Sequence, residues 1–511
     1  MALSDEDLAR IRPYVSHTER SVFALSGLPE EVIAVLFAYY SRSRESLREN
    51  LARLLADQEL AVAGGAPTDA AHLSLAKDKA RAFHEKWVVG YGHASVAEHA
   101  VVHLALEDVS IVASKHVEDM RLASYTEKST RYVLFDEDSF ARPPNLPQRE
   151  LALYERAARR LFATYLDLVP KAENEVRRRF PRPESQPERA YDAVVRAKTF
   201  DILRGLLPAG TRTNLGLTAN ARALEACLSK MLSSPLVEVQ ELAKSMHEAS
   251  ATVAPTLVKY VAPNEYRHTL RALWDHAPQA LRGAVDGACR DEADGARGAG
   301  VRLLRVDEDA LQRVALALAF EAEPAGLPAE ALAAAMARAD QPTLEAFVHR
   351  SLDGRGKFDA VPRAFEAASL LAELTIDYGA YRDMQRHRML SPFPQRLGCE
   401  LGAEVPVELV EMGLDGPFRD ALEVAEDTWR ALVTTHPWEA QYVVPLAYRV
   451  RVLWSLNLRE VFHVVELRSA KQGHTSYRQA ALGLEQVAVD ALPWLRGKMR
   501  ADRNDYALPR A

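Results

Sequence analysis

Ten residues, Ala123 to Tyr132 (ASYTEKSTRY), crowd Ser, Thr and Tyr hydroxyls around Glu127, Lys128 and Arg131. A Ser/Thr-rich turn ending in arginine can offer one phosphate its hydroxyls, its backbone N–H groups and a forked guanidinium. The alternative is a solvated loop. A second cluster, YRDMQRHRMLS, gathers Arg382, Arg386 and Arg388 around His387. Unpaired cations so close repel one another, so a bound anion is the simplest reason to collect them, against a plain solvated basic face. Asn457 and Arg468, in NLREVFHVVELR, share one face if the segment is helical and would form a ligand-facing stripe beside Val461 and Val464. Finally, GHASVAEHAVVH offers His93, Ser95, Glu98, His99 and His103. His99 and His103 have the spacing of a shared metal on a helix, but Glu98 precedes the pair instead of lying within it. No metal is assigned, and capping or core-edge histidines are the preferred reading.

The elements that must position these groups are mainly helical. Apolar residues recur at three- and four-residue spacing over 30–40, 75–89, 151–169 and 220–232. Strand candidates are few and short: 21–25, 100–106, 131–135 and 301–306. The balance predicts a helix-rich α+β fold. Proline-rich breaks fall at 141–150 and 179–189, and 283–300 has the composition of a linker.

The chain also repeats itself. VRLLRVDEDALQRVALALAF (301–320) echoes VFALSGLPEEVIAVLFAYYS (22–41). Glu98 and Arg121 have counterparts in Glu366 and Arg388. Pro208, Arg212, Asn220 and Arg222 recur at identical spacing as Pro445, Arg449, Asn457 and Arg459. Two copies of one domain are expected, spanning 1–285 and 301–511, with 286–300 as linker.

The chain's 511 residues are 48% apolar and 26% charged with net charge −7, which gives no footprint for non-specific nucleic-acid binding. Three cysteines lie far apart, suggesting neither a disulfide framework nor a thiolate metal site. The N-terminus lacks the pattern of a signal peptide, and no apolar run suggests a membrane span. A cytoplasmic enzyme is the default expectation.

With these residues in view, the sequence resembles the flavin-dependent thymidylate synthases. That family carries Arg-His-Arg, then seven residues and a Ser, with Asn and Glu in the gap and Arg-Tyr after it. MRLASYTEKSTRY keeps Arg121, Glu127, Ser129, Arg131 and Tyr132, but has Asp119 and Met120 for Arg and His, and Thr126 for Asn. RHRMLSPFPQRLG does the reverse: Arg386, His387 and Arg388 are whole, while Pro394 and Arg396 replace Glu and Ser. GHASVAEH is similar to the family's flavin-facing segment at Ser95 and Glu98, of which Phe365-Glu366 is the remnant in the second copy. The Leu-Pro, Asn-x-Arg and Leu-Arg region is kept more fully in the second copy, with Asn457, Leu467-Arg468 and His474; the first has Lys230-Met231 in place of Leu-Arg. Conversely, Arg204 matches a nucleotide-contacting arginine where the second copy has Gln441.

The resemblance implies an FAD-dependent methyltransferase that makes dTMP from dUMP with methylenetetrahydrofolate and NADPH. Its sites would be composite. The first copy would supply the substrate groups Glu127, Ser129, Thr130, Arg131 and Arg204. The second would supply the catalytic groups Arg386, His387 and Arg468, with Arg468 also meeting the substrate. Ser95, Glu98, Arg386, His387, Arg388, Asn457 and His474 would hold FAD. It further implies a homodimer forming a pseudo-tetramer. A flavoenzyme for another uridine nucleotide, or a non-catalytic flavin- or nucleotide-binding scaffold, are the alternatives.

Overall fold

The computed structural model describes residues 3–40, 44–56, 94–273, 276–291, 298–322, 326–504 and 506. The helix expected over 75–89, and His93, lie outside the described residues. The first copy runs α1 (Asp5–Ile11), α2 (Glu30–Tyr40), α3 (Leu47–Leu55), a 3-10 turn at Ala94–His99, β1 (Val101–Ser110), α4 (Ile111–Val117), β2 (Ala123–Glu127), α5 (Gln148–Arg179), α6 (Glu188–Leu203), β3 (Arg212–Asn220), α7 (Ala221–Leu232), α8 (Val237–Val253), α9 (Glu265–Arg271) and α10 (Gln279–Asp291). The second runs β4 (Gly300–Val306), α11 (Ala310–Ala322), α12 (Ala329–Arg338), α13 (Gln341–Arg350), a 3-10 turn at Arg363–Ala367, β5 (Ser369–Asp377), α14 (Tyr378–Met384), β6 (Ser391–Pro394), α15 (Val407–Glu411), α16 (Asp415–Val433), β7 (Arg449–Asn457), α17 (Leu458–Arg468) and α18 (Thr475–Ala491). The fold is α+β and helix-rich, with two related domains in tandem.

Local chemistry explains the elements. Along α5, Tyr154, Ala157, Ala158, Leu161, Phe162, Tyr165 and Leu168 are buried at helical spacing. In β3, Thr213, Leu215, Leu217 and Ala219 point inward and alternate with exposed or half-buried neighbours; β7 does the same with Val450, Val452, Trp454 and Leu456. Asn220 caps α7 by accepting from the Ala223 N–H at 2.8 Å, and Asn457 caps α17 by accepting from the Glu460 N–H at 2.9 Å.

Three expected features differ. Residues 131–135 form no strand, because the Ser129 carbonyl accepts from the N–H groups of Tyr132 and Val133 and tightens a turn there. The strand lies earlier, as β2, paired antiparallel to β3 from Ala123↔Ala219 to Glu127↔Leu215. Residues 21–25 make only a bridge, Val15↔Leu25. The linker-like stretch begins inside α10, which continues to Asp291.

The two sheets repeat one topology. The first has strand order β1-β3-β2, and the second β4-β5-β7-β6. In each, a Glu in the preceding 3-10 turn pairs with the Arg two residues after the capping Asn: Arg222 to Glu98 at 2.5 Å, Arg459 to Glu366 at 2.7 Å. β1 is one residue longer than β5, and Asp108 within it takes a φ of 56°.

The compact units do not follow the two copies. One comprises 1–109, 116–127 and 213–277; the other comprises 110–115, 128–212 and 278–511. Within the latter, the halves of the sequence meet about Pro208 and Pro445, which face each other in an antiparallel bridge. The Ala209 N–H donates to the Val444 carbonyl at 2.8 Å, and reciprocally the Leu446 N–H donates to the Leu207 carbonyl at 2.8 Å. Gly210 to Tyr442 and Ala447 to Gly205 form the next reciprocal pair, at 2.8 and 3.0 Å. This is a local pseudo-twofold, and it fixes which residue of one copy matches which of the other. Across it, α5 packs on α16, with Asn145 bonded to Glu439, Arg179 to Glu411 and Lys198 to Glu408.

Candidate functional site

The pseudo-twofold brings first-copy residues 128–212 into the same unit as the second copy, and a charged cluster forms there. His387, 4% exposed, sits just past the end of α14. Arg468, the last residue of α17, donates from Nε to His387 Nε2 at 2.8 Å and from Nη2 to the Asp383 carbonyl at 2.6 Å. An arginine can only donate, so His387 Nε2 accepts. The ring proton is therefore on Nδ1, which donates to Glu460 Oε1 at 3.0 Å. Burial, together with the Arg468 guanidinium, holds His387 well below its usual pKa, so it is neutral. Burial also pushes the Glu460 carboxyl up to about 7.

Asp383 is the cluster's counter-charge. Arg386 Nη2 donates to its Oδ1 at 2.6 Å. Burial alone would raise the Asp383 carboxyl, but Arg386, Arg204, Arg131 and Arg468 together outweigh it and hold the group well below the usual carboxylate range.

Arg131 lies 3.6 Å from Asp201 through Nε and 5.9 Å from the Tyr477 ring centre; the Arg468 guanidinium lies 5.6 Å from the same ring. Tyr477 thus sits within cation–π range of an arginine from each copy. Its place depends on Gly473, where a Cβ would come within 2.7 Å of the tyrosine ring. Arg131 Nη1 and Arg204 Nη2 are buried here without a hydrogen-bond partner, as is Asp201 Oδ1, 3.6 Å from Arg131 Nε. Leaving buried guanidinium N–H groups unmatched is costly, and an anionic ligand is the group that would satisfy both.

The other anticipated residues have plainer surroundings. Ser129 Oγ accepts from the Arg131 N–H at 3.2 Å, shaping the turn that presents the guanidinium, and Thr130 is buried. His474 caps α18, its Nδ1 accepting from the Ser476 N–H at 3.2 Å; burial and the nearby Arg204 and Arg131 depress its pKa well below the usual value. Ser476 in turn donates to Asp377, whose carboxyl is raised by burial against the pull of Arg204. Arg388 is exposed.

Two expectations are corrected. The stripe from Asn457 to Arg468 is not an open face: the Asn457 amide oxygen caps its helix, and Val461 and Val464 between them are wholly buried in the core. Nor is RHR a cluster of free cations, because His387 is neutral and Arg386 is paired. In the first unit, Ser95 is exposed on its 3-10 turn, Glu98 is engaged by Arg222, and Glu127 ends β2. His99 stacks on Phe37 and His103 on β1 meets Thr218, so the pair stands on different elements and shares no helical face.

The match to known proteins is extensive. The family model described as thymidylate synthase complementing protein matches residues 36–256 and again 302–494. The chain belongs to this family. A UPF0159 protein of Chlamydia muridarum is 33% identical over 96% of this chain and 93% of its own length, and one of Chlamydia pneumoniae is 33% identical over 94% and 91%. A flavin-dependent thymidylate synthase of Saccharolobus solfataricus is 28% identical over 35% of this chain and 62% of its own. For a thymidylate synthase complementing protein, the two matched regions correspond to the two sheets.

Sequence reasoning missed Asp201, Asp383, Glu460 and Tyr477. Asp383 carried a signal, standing one helical turn before Arg386 within the quoted cluster. Glu460 carried none, since its link to His387 spans 73 residues of sequence.

Proposed function

We propose that the chain is an FAD-dependent thymidylate synthase, converting dUMP to dTMP with methylenetetrahydrofolate and NADPH as co-substrates, and that its site is composite. The observation that carries this reading is the pairing of unmatched Arg131 and Arg204 guanidinium N–H groups, from the first copy, with the Arg468–His387–Glu460 chain from the second. In this reading Arg131 and Arg204 take the phosphate, with Ser129 and Thr130 shaping the turn and Glu127 bridging toward the flavin. FAD and the folate supply redox and one-carbon chemistry when bound. The chain's own task is to hold dUMP and to stabilise charge that builds on the uracil O4 side as C5 becomes nucleophilic.

Arg468 suits that task because Nε and Nη2 are fixed by His387 and Asp383, which leaves Nη1 for the ligand; Arg386 is the second donor. In the second unit Arg388, Asn457 and His474 are proposed as flavin-contacting residues, and in the first unit Ser95 and Glu98 are. Asn457 would serve through its amide nitrogen, as its oxygen is committed to the cap. Each domain copy (1–285 and 301–511) contributes, and two chains form a pseudo-tetramer in the cytoplasm.

Flavin absorbance of the purified protein, followed by tritium release from dUMP labelled at C5 in the presence of folate and NADPH, tests the proposal. A second reading, a flavoenzyme acting on another uridine nucleotide, is favoured by Thr126 in place of the family's Asn. Flavin absorbance without tritium release would support it, and a colourless protein without nucleotide affinity would leave a scaffold.

A further inference from the structure

The pseudo-twofold allows each site residue to be compared with its counterpart in the other copy. Asn220 and Asn457 cap equivalent helices three residues before Ala223 and Glu460, so Glu460 corresponds to Ala223 and Arg468 to Met231. The Ile111 N–H to Thr211 carbonyl bond is matched by Tyr378 to Tyr448, which aligns α4 with α14 and pairs His387 with Met120 and Arg386 with Asp119. By the same registers Arg204 corresponds to Gln441 and Arg131 to Gly398.

These counterparts lack the chemistry of the site residues, and most of them are held in contacts of their own. Met120 and Met231 are buried apolar residues, and Met231 packs on the Cys227 thiol at 3.6 Å. Asp119 is tied up by Lys230. A Cβ at Gly398 would already stand 3.0 Å from the Trp429 ring and closer still to Glu400, so no arginine could replace it without moving them. Gln441 accepts from the Leu397 N–H at 3.3 Å, and Arg396 lies 4.2 Å over the Trp438 ring. Each of these positions is taken up by its own local packing or pairing.

We propose that each chain carries a single nucleotide site, the one built on Arg131, Arg204 and Arg468, and that the symmetry-related positions now serve only as scaffold. The proposal rests on the nucleotide-binding reading above and adds a stoichiometry to it.

Equilibrium dialysis of the full chain with radiolabelled dUMP tests it. Saturation at one nucleotide per chain is expected, with Arg131→Ala and Arg468→Ala each weakening that site roughly ten- to a hundredfold and leaving no site of wild-type affinity, and with Arg396→Ala changing affinity less than about twofold. Saturation at two per chain, or a residual half of the sites in both arginine variants, would overturn the single-site proposal while leaving the dUMP reading intact. Absence of saturable binding to the wild-type chain would overturn both.

Discussion

Arg468 donates from Nε to Nε2 of His387 at 2.8 Å, and that one contact decides the state of the histidine. With Nε2 accepting, the proton sits on Nδ1 and is held by Glu460 at 3.0 Å. Burial and the guanidinium both oppose a second proton. Nitrogen NMR of labelled histidine should therefore show His387 as the neutral Nδ1–H tautomer from about pH 8 down to about 5.5, where an unperturbed imidazole, with a pKa near 6.5, is mostly charged. Titration with an ordinary midpoint would show that the Arg468 contact does not persist in solution.

His474 gives a stability prediction of definite sign. Its folded pKa is depressed, so above about pH 6.5 it is neutral in both states and contributes no pH dependence. As the pH falls below that value the unfolded chain takes up a proton that the folded chain refuses, and stability drops. His474→Asn keeps a capping acceptor but cannot titrate. Between about pH 6.5 and 5.5 the wild type should lose about 1 kcal/mol more than the variant, read by urea unfolding at each pH. Asp377 and Glu460, raised by burial, act with the opposite sign, but both remain in the variant and their contributions cancel in the comparison.

Asp383→Asn should separate stability from affinity. The carboxylate balances Arg386, Arg204, Arg131 and Arg468, and removing one partner of a buried charge network costs about 3 kcal/mol. The same change leaves the guanidiniums short of negative charge, so an added anion should be worth more. Melting with and without inorganic phosphate should show a lower Tm for the variant and a larger rise on adding phosphate. An equal rise in both proteins would mean that Asp383 does not compete with the ligand.

Asn457→Ala should lower stability by about 1 kcal/mol through loss of the α17 cap, with Asn457→Ser recovering most of it. Thermal melts of the two variants check this. If instead both variants melt like the wild type, the cap contributes nothing and a ligand role for the amide becomes the better explanation.

The uneven legibility of the sequence follows from range. α2 is marked by a local apolar period that matches its ends, and the repeated Pro, Arg, Asn and Arg place the two sheets in register from sequence alone. Residues 21–25 and 131–135 have strand composition, but strands need partners, and no local signal reports which neighbour is present. The helix over 279–291 was hidden by glycines that cost it propensity without preventing it. In the site, Arg131, His387 and Arg468 stood out by residue type. Their partners Asp201, Asp383 and Glu460 are ordinary acids in sequence, and acquire meaning only when burial forces each charge to find its match.

The sharpest prediction concerns the division of one site between the two copies. Arg131 offers an unmatched Nη1, and Arg468 is anchored by His387 and Asp383; the two flank Tyr477 at 5.9 and 5.6 Å. Arg131→Ala should weaken dUMP binding by on the order of 1.5–3 kcal/mol, the worth of a charge-assisted contact, and abolish turnover. Arg468→Ala should abolish turnover as well, since it removes charge stabilisation at the uracil and leaves His387 Nε2 without its donor. The double variant should be no worse than either single one, because groups that act on one bound molecule are strongly non-additive. Turnover assays on the three variants decide it. If either single variant keeps near-wild-type turnover, or if the losses multiply, the arginines serve separate sites and the composite arrangement is wrong.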